Sequence, residues 1–214
     1  AALGAVDFLM WVVTGISTGL TQGFSIQLSQ YYGAKDFENL RKSLAHSYRL
    51  TAFIAAGVLI LSQSFASLVL TGLHTPSNII GMSLLYLRII FCGIPATAAY
   101  NMFASALRAM GNSKTPLTAM IIASVLNVSL DILLVAGFGW GVAGAAIATV
   151  IAQSFSAVYC FLILRRIDIV HLTRADFMPA SGMNARLMKL GIPVVFQNII
   201  IGVGGLVVQY VING

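Results

Sequence analysis

The chain has 214 residues, 58% of them hydrophobic and only 8% charged, with a mean hydropathy of +0.92 and a formal net charge of +6. A soluble domain carries about 25% charged residues, so this composition excludes an ordinary globular fold and points to a polytopic membrane protein. The positive balance calls for no nucleic acid, because basic residues at one membrane face account for it.

Six apolar runs are long enough to cross about 30 Å of hydrocarbon as helices: 4–31, 45–70, 82–107, 116–137, 141–164 and 190–214. None alternates as a membrane-barrel strand would. The predicted fold class is therefore all-α, with six transmembrane helices. Eleven of the twelve Lys and Arg residues fall in three segments, 32–49, 108–115 and 165–189, while the connections TGLHTPSN and GFGWG carry none. The positive-inside rule places the three basic segments in the cytoplasm and the two neutral loops outside. The first run then starts outside, without an initiator Met, and VING ends the chain inside an apolar run. A piece of a longer protein, with at least one preceding helix, is the expectation.

In the first run, Gly15, Gly19 and Gly23 form GxxxGxxxG, a face that lets a second helix backbone approach closely in a bilayer. Asp7 lies near the outer end of that run, where a carboxylate is solvated and favoured by the helix dipole. The third run opens with Tyr86 and Arg88 and holds Pro95 near its middle, where the missing N–H kinks a helix or makes a hinge. Asn101, nearer the inner end, reads as an interhelical hydrogen bonder.

The fourth run contains LNVSLDILLV, with Asn127 and Asp131 one helical turn apart on one face. An unpaired carboxylate inside the bilayer costs roughly 2.5 to 3.5 kcal/mol on insertion scales, so Asp131 needs a partner or a use. At 1.5 Å per residue, Asp131, Asn127 and, on the fifth run, Thr149 fall about 9 to 15 Å below the outer helix ends, in one layer. Between these runs GWGVAG matches the dinucleotide-binding GxGxxG letter for letter, but no strand precedes it and no acidic residue follows at about 20 positions. It reads instead as a tight outer turn followed by a small-residue row of Gly141, Ala145 and Thr149. Cys92 and Cys160 lie in apolar runs, and His46, His74 and His171 are scattered. Neither set has the clustering of a metal site.

The segments QLSQYYGAKDFENLRKS, YLRII, SALRAMGNSKTPL, LNVSLDILL, GWGVAGAAIATVIAQ and KLGIP, in this order, together resemble the multidrug and toxic compound extrusion (MATE) family over essentially the whole chain. The resemblance implies helices two to seven of a twelve-helix antiporter built from two six-helix lobes. Residues 1–164 would be five helices of the N-terminal lobe, 165–189 the cytoplasmic connection, and 190–214 the first helix of the second lobe. It also implies export of organic cations and other drug-like compounds in exchange for Na⁺ or H⁺, with no further cofactor, across the plasma membrane, by a protein that functions as a monomer. The family's cation site is similar to Asp131, Asn127 and Thr149, with Tyr86 nearby, so that Na⁺ at Asp131 would be the only metal. Where some branches carry a carboxylate in the last run, this chain has Gln197 and Asn198.

Three function classes compete. A drug/cation antiporter fits Asp131 in a polar layer. A lipid-linked saccharide flippase of the same wider superfamily would want a cationic cavity, and only Arg88 is basic within the runs. A membrane-embedded enzyme would want paired reactive groups at one depth, and no His, Cys or second carboxylate in the runs stands beside Asp131, so no catalytic residue is assigned.

Overall fold

A computed structural model of the chain describes the backbone over residues 2–72, 80–178 and 182–213 and, within these, side chains from Thr14 to Gly202 except Val69 and Gly72. Asp7 and the greater part of the first neutral loop, with His74, lie outside the described residues.

The described elements are helical throughout: α1 (Ala2–Gly33), α2 (Phe37–Gly72), α3 (Ile80–Cys92), α4 (Ile94–Ala109), α5 (Lys114–Asp131), a π-helical segment (Ile132–Gly137), α6 (Gly141–Leu164), two 3-10 turns (Asp168–Val170 and Arg174–Phe177) and α7 (Met183–Asn213). Among the described residues five stretches are long and apolar enough to span a membrane, in addition to the 32-residue α1. The all-α membrane fold read from composition is the fold observed.

Several boundaries differ from those expected. Segment 32–49 is not a loop. α2 starts at Phe37 because Asp36 caps it, accepting from the Asn39 backbone N–H at 3.2 Å and side-chain amide at 2.7 Å. The Asn39 side chain, then its backbone N–H, hold the Asp36 carboxyl below its ordinary pKa. The second basic segment is a tight turn. Gly111 at φ +83 ends α4, and the Asn112 side-chain oxygen Oδ1 accepts from the Thr115 N–H at 3.1 Å at the start of α5. Likewise the third basic segment is shorter than 165–189, because α7 begins at Met183 rather than at 190. What remains of it is ordered by a capping box in which Thr173 and Asp176 bond reciprocally. The third run is two helices, broken at Gly93 two residues before Pro95, which sits in the first turn of α4 where its missing N–H costs nothing.

α1 and α7 pack antiparallel through the glycine face. A Cβ on Gly19 would lie 2.8 Å from the Val195 Cα, and Gly15 faces the Asn198 Cβ at 4.0 Å. Leu20, Phe24, Leu44, Met102, Leu107 and Leu187 are buried in one cluster toward the end of the bundle that carries the α4–α5 turn. A smaller cluster of Leu70, Leu87, Phe91 and Ile94 joins α2 to the α3–α4 break at the other end. Large apolar side chains such as Phe53, Ile60, Leu117, Ile121 and Val128 are exposed, as surfaces meeting hydrocarbon require.

The GWGVAG glycines are accounted for without a nucleotide. Gly139 and Gly141 have φ of +69 and +53, conformations that side chains avoid, and Gly144 packs against Leu134, whose Cβ would stand 3.1 Å from an added Cβ.

Candidate functional site

Asn127 and Thr149 are brought together. The Asn127 amide on α5 donates to the Thr149 hydroxyl on α6 at 3.4 Å, and that hydroxyl donates to the Ala145 carbonyl one turn back at 3.0 Å. The small-residue row on α6 makes this possible, since Ala145 and Ala148 leave room for α5 to approach. Both residues line a cavity of about 170 Å³ between the two helices, with Tyr100, Ser124, Gln153 and Ser156. Its lining mixes apolar and polar side chains, and the polar ones are neutral. Ser124 and Ser156 donate to backbone carbonyls, to Met120 at 3.0 Å and Ala119 at 3.5 Å, and Tyr100 donates to the Pro116 carbonyl at 3.4 Å.

Asp131 stands one turn beyond Asn127, half-buried at the junction where α5 passes into the π-helical segment. Its Oδ1 is shielded from solvent and accepts no hydrogen bond among the described residues. A carboxylate oxygen in that setting is under-satisfied by the protein and suits a hard cation or a proton. The π segment widens the helix beside it, with the Phe138 N–H reaching back five residues to the Leu133 carbonyl at 3.0 Å. Such segments occur frequently at functional sites.

Tyr86 is elsewhere. It is half-buried on α3, makes no hydrogen bond among the described residues and does not line the cavity that Asn127 and Thr149 share. Pro95 lies on the second helix of the broken pair. Gln153 and Ser124 were not singled out from sequence, although the signal was present. Gln153 continues the Gly141, Ala145, Thr149 row by one more step of four, and Ser124 precedes Asn127 by three.

The family model MatE matches residues 1–133. A Bacillus subtilis (strain 168) protein described as "Probable multidrug resistance protein YpnP" is 31% identical over 215 residues, which is 99% of this chain and 48% of that protein. The "Multidrug export protein MepA" of Staphylococcus saprophyticus is 25% identical over 206 residues, 95% of this chain and 45% of its own. Among solved structures, one described as "Inward-facing conformation of a multidrug resistance MATE family transporter of the MOP superfamily" superposes with a TM-score of 0.86 at 22% identity. It covers 92% of this chain and 46% of its own. At that identity the likeness concerns the fold alone. The chain spans about half the length of the curated relatives it matches. With the family model matching more than half of its residues, the chain belongs to the MatE family.

Proposed function

We propose that this chain is part of a secondary active antiporter that exports drug-like or organic cationic compounds in exchange for Na⁺ or H⁺, with Asp131 as the coupling residue. The carrying observation is Asp131 itself, a half-buried carboxylate with an oxygen that no described donor satisfies, one turn from the Asn127–Thr149 pair. Exchange requires two ligands coupled through one protein. A carboxylate that is costly when empty and satisfied when occupied supplies the difference between the two states. Asn127 and Thr149 add amide and hydroxyl oxygens of the kind that complete a cation's shell.

The remaining parts of the reading follow from the same frame. The protein sits in the plasma membrane as a multi-pass monomer, with the basic segments 32–49, 108–115 and 165–189 on the cytoplasmic side and small molecules rather than nucleic acid as its partners. Pro95 with Gly93 serves as a hinge in the third transmembrane passage. The flippase alternative is weaker, because Arg88 is exposed on α3 and the cavity beside Asn127 has no charged lining residue.

The test is uptake and release of a fluorescent organic cation by full-length protein in proteoliposomes. Export should appear under an imposed Na⁺ or H⁺ gradient, fall away when the gradient is collapsed, and need no nucleotide. Transport that ignores both gradients would contradict the proposal.

A further inference from the structure

A second cavity, of about 270 Å³, lies between the Arg-rich ends of α2 and α6. Tyr48 of α2 and Phe161 and Leu164 of α6 form its walls, and Val170 and Phe177 of the connecting segment close it from below. Phe103 of α4 stiffens the back, edge-on to Tyr48 with ring centroids 5.4 Å apart and tilted against Phe161 at 5.2 Å. At the mouth stand Arg165, whose guanidinium carbon is 5.7 Å from the Phe161 ring centroid, and His171.

We propose that this cavity binds an anionic phospholipid, with the glycerol-proximal part of an acyl chain between Tyr48 and Phe161 and the phosphate at Arg165, beside Arg166.

The charge pattern selects that occupant. The C-terminal end of α6 carries partial negative charge, which Arg165 and Arg166 reverse. Both arginines are exposed and neither forms an ion pair among the described residues. Of the nearest acids in sequence, Asp176 is engaged elsewhere, closing the Thr173 capping box and facing Arg41 at 3.8 Å, while the exposed Asp168 stands 3.8 Å from His171 at the mouth and leaves the two arginines in excess there. Unneutralised cations above an apolar cavity at the end of a membrane helix fit an amphiphilic anion, and basic pockets at this level of a bundle are suited to lipid headgroups. Basic residues at a membrane face are ordinary; an aromatic-walled cavity beneath them is an additional feature.

The location favours lipid over cargo. Phe161 lies twelve residues beyond Thr149 on α6, about 18 Å along the helix. Tyr48 follows by two residues His46, whose ring bonds Asn184 of α7, so Tyr48 points about 200° round the helix from α7. The inference does not depend on the exchange reaction proposed above.

The experiment uses purified full-length protein given equal amounts of phosphatidylglycerol and phosphatidylcholine with matched chains, read by native mass spectrometry. Phosphatidylglycerol should be retained preferentially. Arg165→Gln/Arg166→Gln should reduce that retention roughly tenfold. Lys35→Gln/Lys114→Gln, which removes the same charge from the same face, should leave it unchanged, and Val170→Phe, which fills the cavity without altering charge, should reduce it. On wild-type protein, phosphatidylglycerol with a photoreactive group on the first carbons of an acyl chain should crosslink within residues 161–177 or at Tyr48. Equal retention of the two lipids, equal losses from both double variants, unchanged retention in Val170→Phe, or crosslinks scattered over the exposed face of α5 would each overturn the site.

Discussion

Gly23 of α1 and Gly191 of α7 meet backbone to backbone. A Cβ on Gly23 would lie 2.7 Å from the Gly191 amide nitrogen and 2.7 Å from the Leu190 carbonyl oxygen, so neither helix can yield by turning a side chain.

Gly23→Ala sets two effects against each other. Alanine gains about 1 kcal/mol of helix propensity over glycine, while overpacking against backbone costs about 1 to 3 kcal/mol or more. Overpacking should win, lowering the thermal midpoint of the full-length protein in detergent. Gly57→Ala, with nothing within 4 Å of the added carbon, should raise it, and Gly15→Ala should be tolerated. Equal midpoints for Gly23→Ala and Gly57→Ala would show that the α1–α7 contact is not close.

His46 offers a second test of how α2, the connecting segment and α7 hold together. The imidazole is 1% exposed, with Nδ1 2.7 Å from the Asn184 side-chain amide group and Nε2 3.1 Å from the Met178 carbonyl, a neutral ring donating through one of the two nitrogens. His46→Ala removes both contacts, and because Asn184 and Met178 are exposed and can turn to water, the cost is that of two ordinary hydrogen bonds, about 1 to 3 kcal/mol in all, read in unfolding measurements. His171→Ala, at an exposed ring, should change stability by less than about 0.5 kcal/mol. A neutral outcome at His46 would contradict the bridge.

These two sites show what the sequence carried and what it concealed. The GxxxGxxxG face was readable from α1 alone, but its partner, Gly191 in KLGIP, is a single glycine with no row of its own. His46 bonds residues 132 and 138 positions away, and no local pattern reports such partners. The early start of α2 was hidden because Lys35, Arg41, Lys42 and Arg49 interrupt the apolar run that marks a span; the Asp36 to Asn39 cap was the signal that would have extended it. Asn127 and Thr149 were legible together because both lie on regular helices, where depth can be counted. Tyr86 was set near them by the resemblance and not by that count, which puts it at a shallow, interfacial level, and neither could report the break at Gly93.

Pro95 distinguishes a hinge from a static kink. It occupies the first turn of α4, after Gly93 has closed a tight turn onto the Ile90 carbonyl at 2.8 Å. Pro95→Ala should therefore alter thermal stability by less than about 1 kcal/mol, and under the hinge reading it should slow transport severalfold in the same preparation. An unchanged transport rate would make the break static.

The orientation is open to direct labelling. In protein lacking Cys92 and Cys160, single cysteines at Lys35, Lys114 and Arg174 should be protected from an impermeant thiol reagent applied outside intact cells, and one at Phe138 should react. Reaction at all four positions would refute the assignment of the basic segments to the cytoplasm.

The Asn127–Thr149 pair should modulate coupling rather than create it. Asn127→Ala or Thr149→Ala removes a hydrogen bond already long at 3.4 Å and, under the proposed function, one oxygen ligand. Each should weaken the ion dependence of transport by about 1 to 2 kcal/mol, the scale of a lost hydrogen bond to a charged group, read as a shift in the Na⁺ concentration or pH giving half-maximal rate. No shift in either variant would place the pair outside the ion's reach.

The central claim rests on Asp131, and one substitution isolates it. Asp131→Asn keeps the shape of the side chain and removes a charge that is costly within the bilayer, so the full-length protein should fold with wild-type yield and thermal midpoint. Efflux of an organic cation from proteoliposomes, measured under imposed Na⁺ and H⁺ gradients in turn, should then be lost under whichever gradient drives the wild-type protein. Wild-type efflux by a normally folded Asp131→Asn protein under both gradients would contradict the account and leave Asp131 a structural residue.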